Sequence, residues 1–170
     1  YKIVFVDGFF DPFLSQTSHD GVDICILSAA LTKPVYSKVI SKHFDTSINT
    51  NDSLSLVNTA FAKEGVYVHI PKNKILDKPI EVLHFTTGNE AALMLQPRNL
   101  IVVEENAQVE IIETHQSLTE NPIFTNSVTE IFVGQNAHLD YYKIQNDRLM
   151  SSLIDNTYIS QEKNSVAKVH

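Results

Sequence analysis

A single cysteine, Cys25, stands among 170 residues, and tryptophan is absent. One thiol cannot close an internal disulfide, so the chain suits a reducing compartment, and a cytoplasmic location is expected. Positive charge is also scarce: 13 Lys and Arg against 20 Asp and Glu give a net charge of -7. That balance excludes the basic face that nucleic-acid binding needs. Long apolar runs are missing, and the segment Leu100–Val103 is far too short to cross a bilayer. The few glycines are scattered, with no phosphate-binding G-x₄-G-K-S/T pattern. The hexapeptide repeat of acyltransferase β-helices is missing too. What remains is a globular composition, 43% hydrophobic and 19% charged. The chain opens at Tyr1 in a strand pattern and reaches His170 as another strand begins, so a piece of a longer protein is expected.

Within Asn99–Gln145 the chain repeats itself. Ile101-Val-Val-Glu-Glu-Asn-Ala-Gln-Val-Glu110 matches Ile131-Phe-Val-Gly-Gln-Asn-Ala-His-Leu-Asp140 residue for residue at the key positions. Ile101 aligns with Ile131, Asn106 with Asn136, Ala107 with Ala137, and Val109 with Leu139. Each copy reads as a strand, a turn holding Asn-Ala, and a second strand, with Asn supplying the left-handed turn residue. Such a unit cannot bury its apolar face alone, and stacking in parallel solves the problem. Weaker echoes lie at Val68–Asn73 and Ile159–Asn164. They drift, since Ile75 and Val166 follow their Asn by two positions where Val109 and Leu139 follow by three.

The fold class expected is mainly β, a right-handed parallel β-helix of several coils preceded by a small N-terminal α/β cap. The competing arrangement is an antiparallel sandwich with two similar hairpins. The domains expected are the cap at 1–65 and the β-helix core at 66–170, truncated at its C-terminal end. In the cap, Tyr1–Val6 and Phe9-Phe10 read as a hairpin around Asp7-Gly8. Asp20–Thr32 reads as a helix with Asp20 as N-cap, or as a strand over Asp23–Leu27. Lys33–Asn51 reads as an irregular connection with room for one helical turn. Ser53–Lys63 reads as a helix capped by Asp52 or Ser53, with Leu54, Val57 and Phe61 buried against the first coil and Gly65 as its stop. Asn106 and Asn136 at equivalent turns are expected to stack as a ladder.

Catalytic chemistry is hard to find in these residues. His69 and His84 lie on neighbouring strands, as do His115 and His138, so pairs can converge across coils. No two histidines have metal-site spacing, however, and a local solvated or hydrogen-bonded role is the expectation. Glu104, Glu105, Glu110 and Glu113 suggest the paired carboxylates of polysaccharide-acting β-helices. Yet Glu104 and Glu105 share a turn, and Glu110 and Glu113 face opposite sides of a strand, so a solvated turn and face is the simpler reading. Cys25 sits between Ile24 and Ile26 without a local cation and reads as a packed thiol. Alternation sends one ring of Tyr141-Tyr142 inward and the other outward. No catalytic, cofactor-binding or metal residue is assigned.

The run Asn58-Thr-Ala-Phe-Ala-Lys-Glu-Gly-Val-Tyr-Val-His-Ile-Pro-Lys-Asn73, followed by Lys78-Pro-Ile80, resembles the SufB/SufD family of iron–sulfur cluster assembly proteins. Asn99–Ala107, Asn126–Val133 and Asn136–Gln145 fit the same family, and the opening Phe5-Val-Asp-Gly8 is most like SufD. The resemblance implies a non-catalytic, SufD-like scaffold subunit of a SufBCD complex, not an enzyme. It also implies a SufB-like subunit and a SufC-like ATPase as partners, contacted through regions downstream of these residues. The iron–sulfur cluster would lie at the interface of the intact complex, with no cofactor in this piece. In the family the cluster is held by Cys and Glu of SufB and a His of SufD, to which no residue here corresponds. The alternative reading is a carbohydrate-active or carbohydrate-binding β-helix using Glu104, Glu110 or Glu113.

Overall fold

The structure, a computed structural model, describes residues 1–17, 21–46, 52–88 and 92–170. Its core is a β-solenoid of about three turns. Each coil gives one strand to each of two sheets. The first sheet takes β4 (Val66–Ile70), β7 (Arg98–Val103), β9 (Ile123–Val133) and β11 (Ser151–Gln161). The second takes β5 (Ile80–Thr86), β8 (Gln108–Ser117), β10 (His138–Asn146) and β12 (Val166–Val169). A short β6 (Leu93–Leu95) adds parallel to the start of β9. All pairings between coils are parallel, which excludes the sandwich.

The register follows from the period of two. Val68 pairs with Ile101, Ile101 with Ile131, and Ile131 with Ile159, so one apolar column runs through the coils. Val109 pairs with Leu139 and Leu139 with Ala167 in a second column. Burying a branched side chain in such a column stabilises the fold by about 1.5–3 kcal/mol.

The turns are held in line by an asparagine ladder. Asn73, Asn106, Asn136 and Asn164 all take left-handed φ, between 56° and 62°. They stand 33, 30 and 28 residues apart. The last three each donate an amide to the asparagine one coil below: Asn106 to Asn73 at 3.0 Å, Asn136 to Asn106 at 3.1 Å, Asn164 to Asn136 at 3.3 Å. The outer echoes are therefore in register and do not drift. Their inward residues are Leu76 and Ala167, three positions after the Asn, while Ile75 and Val166 point outward.

The N-terminal segment closes one end and covers one face. β1 (Lys2–Val6) pairs in parallel with β5, and β2 (Phe9–Phe10) returns antiparallel to it. Asp7 and Gly8, both at positive φ, make the turn expected of that pair. β3 (Asp23–Ile26) lies antiparallel on β4. The helix expected over Asp20–Thr32 is thus split into β3 and α1 (Leu27–Thr32), because Ile24–Ile26 find an open strand edge to pair with. Asp20 lies outside the described residues. Lys33–Asn51, read as irregular with room for one helical turn, holds a 3₁₀ turn at Pro34–Tyr36 and the longer α2 (Ser37–His43). Leu27, Ala30 and Ile40 pack with Tyr67, Leu100 and Val102 on the outer face of the first sheet. β7 is consequently buried on both faces.

Helix α3 (Ser53–Phe61) forms where expected, with Asp52 accepting from the Leu54 and Ser55 backbone N–H groups. Its orientation differs from the expectation. Ser55 and Asn58 are the buried residues, whereas Phe61 is 65% exposed. The surface beneath is polar: Asn58 Nδ2 donates to the carbonyls of Pro97 and Asn126 at 2.9 and 2.8 Å. Asn58 adds a side-chain donor to both carbonyls, that of Pro97 accepting from the Val128 N–H as well, and this polar seat is taken in place of covering the helix's apolar face. Nor does Gly65 end the helix, which stops at Ala62 in extended backbone. A Cβ at Gly65 would lie 1.7 Å from the Arg98 carbonyl oxygen, so Gly permits close approach of two chains.

Candidate functional site

The period of two that buries Val109 and Ile111 continues along β8 and turns Glu113, His115 and Ser117 inward as well. In register on β5, Val82 pairs with Glu113 and His84 with His115; on β10, Lys143 pairs with Glu113. The interior of the second sheet therefore changes from apolar to polar halfway along its strands.

Three donor groups meet there. His115 Nε2 lies 2.9 Å from Glu113 Oε1, and His84 Nε2 lies 3.7 Å from the same oxygen. The rings of His84 and His115 stack at 4.5 Å and 11°, and Phe5 stacks on His84 at 5.1 Å and 12°. The other carboxylate oxygen, Glu113 Oε2, accepts from the Tyr141 hydroxyl and sits 3.8 Å from Lys143 Nζ. Lys143 also pairs closely with Asp155. Together the nitrogen and oxygen donors of His84, Glu113 and His115 lie within 4.8 Å of one another, a group able to hold a metal ion.

The electrostatics follow from the burial. Burial alone would push the Glu113 carboxyl up, but the Lys143 charge and the His115 hydrogen bond outweigh it and hold Glu113 well below the usual carboxylate range. Burial, with His115 alongside, brings His84 down to about 3 against the pull of Glu113. Burial and the neighbouring Glu113 raise the Tyr141 hydroxyl. The cluster thus holds an ionised carboxylate beside a neutral imidazole.

His84 and His115 line a cavity of about 410 Å³, bounded also by Phe5, Gly65, Leu93 and Thr125. Phe61 and Gln96 stand at the same cavity.

The histidine pairs expected from the sequence are redistributed by the register. His84 meets His115 and neither of the partners first considered. His69 is on the first sheet, with Nδ1 3.0 Å from Asp23 and Nε2 3.6 Å from Glu104. His138 is exposed opposite Gln108 and Val166.

The four glutamates do not converge. Glu105 pairs with Lys72 at an exposed turn and Glu110 is exposed, whereas Glu113 is buried inside the solenoid. The solvated reading is therefore wrong for Glu113, because its alternation places it on the inner face and Tyr141, His115 and Lys143 compensate its charge. The Cys25 thiol is raised by burial, against a smaller pull from Lys33, as a packed thiol should be. Tyr141 is buried while Tyr142 stacks on His170 at 4.5 Å, as alternation requires.

A parallel solenoid with a lateral N-terminal cap and a walled-in polar cluster is the class of protein that fold and site define. Family comparison sharpens this. Residues 1–82 match the model of the SufBD protein N-terminal region, and residues 84–170 match "SUF system FeS cluster assembly, SufBD core domain". The chain belongs to the SufBD family of iron–sulfur cluster assembly proteins. It is 34% identical, over 96% of its length, to an iron–sulfur cluster assembly SufBD family protein of Synechocystis. The iron–sulfur cluster assembly protein SufD of Bacillus subtilis is 28% identical over 65% of the chain. A SufBD family protein of Staphylococcus saprophyticus is 30% identical over 64%. The chain spans 38%, 26% and 23% of the lengths of these relatives, respectively. Among the described residues no helix is long and apolar enough to cross a membrane.

Proposed function

We propose that this chain is the cap and solenoid portion of a non-catalytic, SufD-like scaffold subunit in a SufBCD-type complex that assembles iron–sulfur clusters. The observation that carries the reading is the match of both segments, in order, to the two SufBD regions, on a stack of coils held in register. A SufB-like subunit and a SufC-like ATPase are the partners, engaged through regions outside these residues. The cluster is cargo of the intact complex and is formed between subunits, in the cytoplasm. Residues 1–65 serve as the cap and 66–170 as the solenoid core. Parallel stacking suits a scaffold, since each coil is stiffened by its neighbours and offers a continuous surface.

The test is co-purification under reducing conditions. Full-length protein, co-expressed with SufB-like and SufC-like subunits from the same source, is expected to elute with both as one complex. Elution of the protein alone, with the other two subunits together, would overturn the assignment.

A further inference from the structure

We propose that His84, Glu113 and His115 form a binding site for one divalent first-row transition-metal ion inside the solenoid, with its open coordination position facing the 410 Å³ cavity. The site is independent of the assembly role argued above, since it rests on donor geometry within one subunit.

Four features carry it. First, the donor set is two imidazoles and one carboxylate, the combination that holds zinc and ferrous iron with a position left for water or another ligand. Secondly, the spacing is close to what a metal needs. Bonds of about 2.1 Å in tetrahedral geometry put donors about 3.4 Å apart, and Glu113 Oε1 stands 2.9 and 3.7 Å from the two Nε2 atoms. Thirdly, His84 Nε2 is buried without a hydrogen-bond partner among the described residues, on a side chain only 10% exposed. A buried polar nitrogen left unsatisfied costs about 1–3 kcal/mol, and a metal ion would satisfy it.

Fourthly, the surroundings already orient the ligands. Tyr141 and Lys143 occupy Oε2 of Glu113 and leave Oε1 for the imidazoles, while Phe5 fixes the plane of His84. Such outer contacts fix ligand orientation in metal sites. Lys143 is shared with Asp155, so one lysine faces two carboxylates and the cluster stays net negative. A divalent cation finds there both donors and a net negative charge.

Cobalt(II) is the probe. Metal-stripped full-length protein titrated with Co²⁺ under anaerobic conditions should bind one ion that His84→Gln weakens at least tenfold, while His138→Gln, at an exposed strand position, does not. Tyr141→Phe should weaken it about tenfold through loss of the carboxylate's anchor. Thermal unfolding without metal shows whether each variant is folded. In crystals soaked with Co²⁺, the anomalous peak at the cobalt edge should lie within about 2.3 Å of both Nε2 atoms. This measurement on the unaltered protein decides the matter even if His84→Gln does not fold. Equal affinity in folded His84→Gln and unaltered protein, or a crystal without a peak within bonding distance of both Nε2 atoms, would overturn the proposal.

Discussion

The asparagine ladder can be taken apart at Asn136, where two causes of stability are separable. Its side chain donates to Asn106 and accepts from Asn164, both at exposed turns. Each such bond contributes about 0.5 kcal/mol net, the low end for solvent-reachable pairs. The backbone adds a second term, because Asn136 holds φ at 56° and an ordinary L residue there costs about 1 kcal/mol or more. Asn136→Ala loses both bonds and takes on that strain, for about 2 kcal/mol in all. Asn136→Gly loses the same bonds without strain, for about 1.5 kcal/mol once its greater unfolded freedom is included. In a domain of this size those figures correspond to drops in Tm of about 6 °C and about 4.5 °C.

Asn106→Ala with Asn136→Ala should cost less than the two changes summed, by about 0.5 kcal/mol, since they share one bond. Thermal and urea unfolding of the full-length protein gives all these values. If the alanine and glycine variants unfold together, the left-handed backbone is not what selects asparagine, and the argument for these turns fails.

Two further predictions concern the packed cap. Arg98 donates to Glu130 at 2.7 Å and to Asp45 at 2.6 Å beneath the cap, with both Arg98 and Glu130 buried. Arg98→Met should cost about 3–5 kcal/mol by removing one member of a buried ion pair, and Arg98→Met with Glu130→Leu should recover most of it; a single-variant cost below about 1 kcal/mol in urea would contradict this. His43 packs on Phe132 at 3.9 Å, and burial, followed by Lys42, lowers its pKa. The folded state thus keeps His43 neutral where the unfolded chain takes up a proton. Its contribution is complete above the unfolded pKa of about 6.5 and falls away as pH drops below that. Stability followed from pH 8 to pH 5 should decline less in His43→Phe than in the unaltered protein, and parallel profiles would refute the reasoning.

The coil register was legible because it is written in local chemistry. Asn at a left-handed turn, followed three positions later by an inward apolar residue, recurs at Asn73, Asn106, Asn136 and Asn164. Only the reading of Ile75 and Val166 as inward made the outer copies look shifted. The seat of α3 was not legible, since hydrophobic spacing picks out Leu54, Val57 and Phe61 and cannot know that the strands beneath present carbonyls and amides. Asn58 fills that need, and no periodicity marks it. The sites of Glu113 and His115 lay between these cases. Alternation along β8 puts both on the face of Val109 and Ile111, which was a signal available in the sequence. It was discounted because single charged residues on strands are usually solvated.

Parallel coils give such residues a property that isolated strands lack. Strands in a sheet stand about 4.8 Å apart, so residues one coil apart face each other at the spacing of stacked rings. His84 and His115 stack for that reason, and Val82, Glu113 and Lys143 form one column across three coils. A carboxylate on the middle coil can then be neutralised from the coil on one side and approached by the His84 imidazole from the other, while His115 reaches it from its own strand. The same repeat that builds the apolar core therefore builds the polar cluster, once the sequence of β8 turns from Ile111 to Glu113. With that lysine one coil further away, Glu113 would be too costly to keep buried as an anion. The register fixed by the asparagine turns is thus also what brings these charges to within reach of one another.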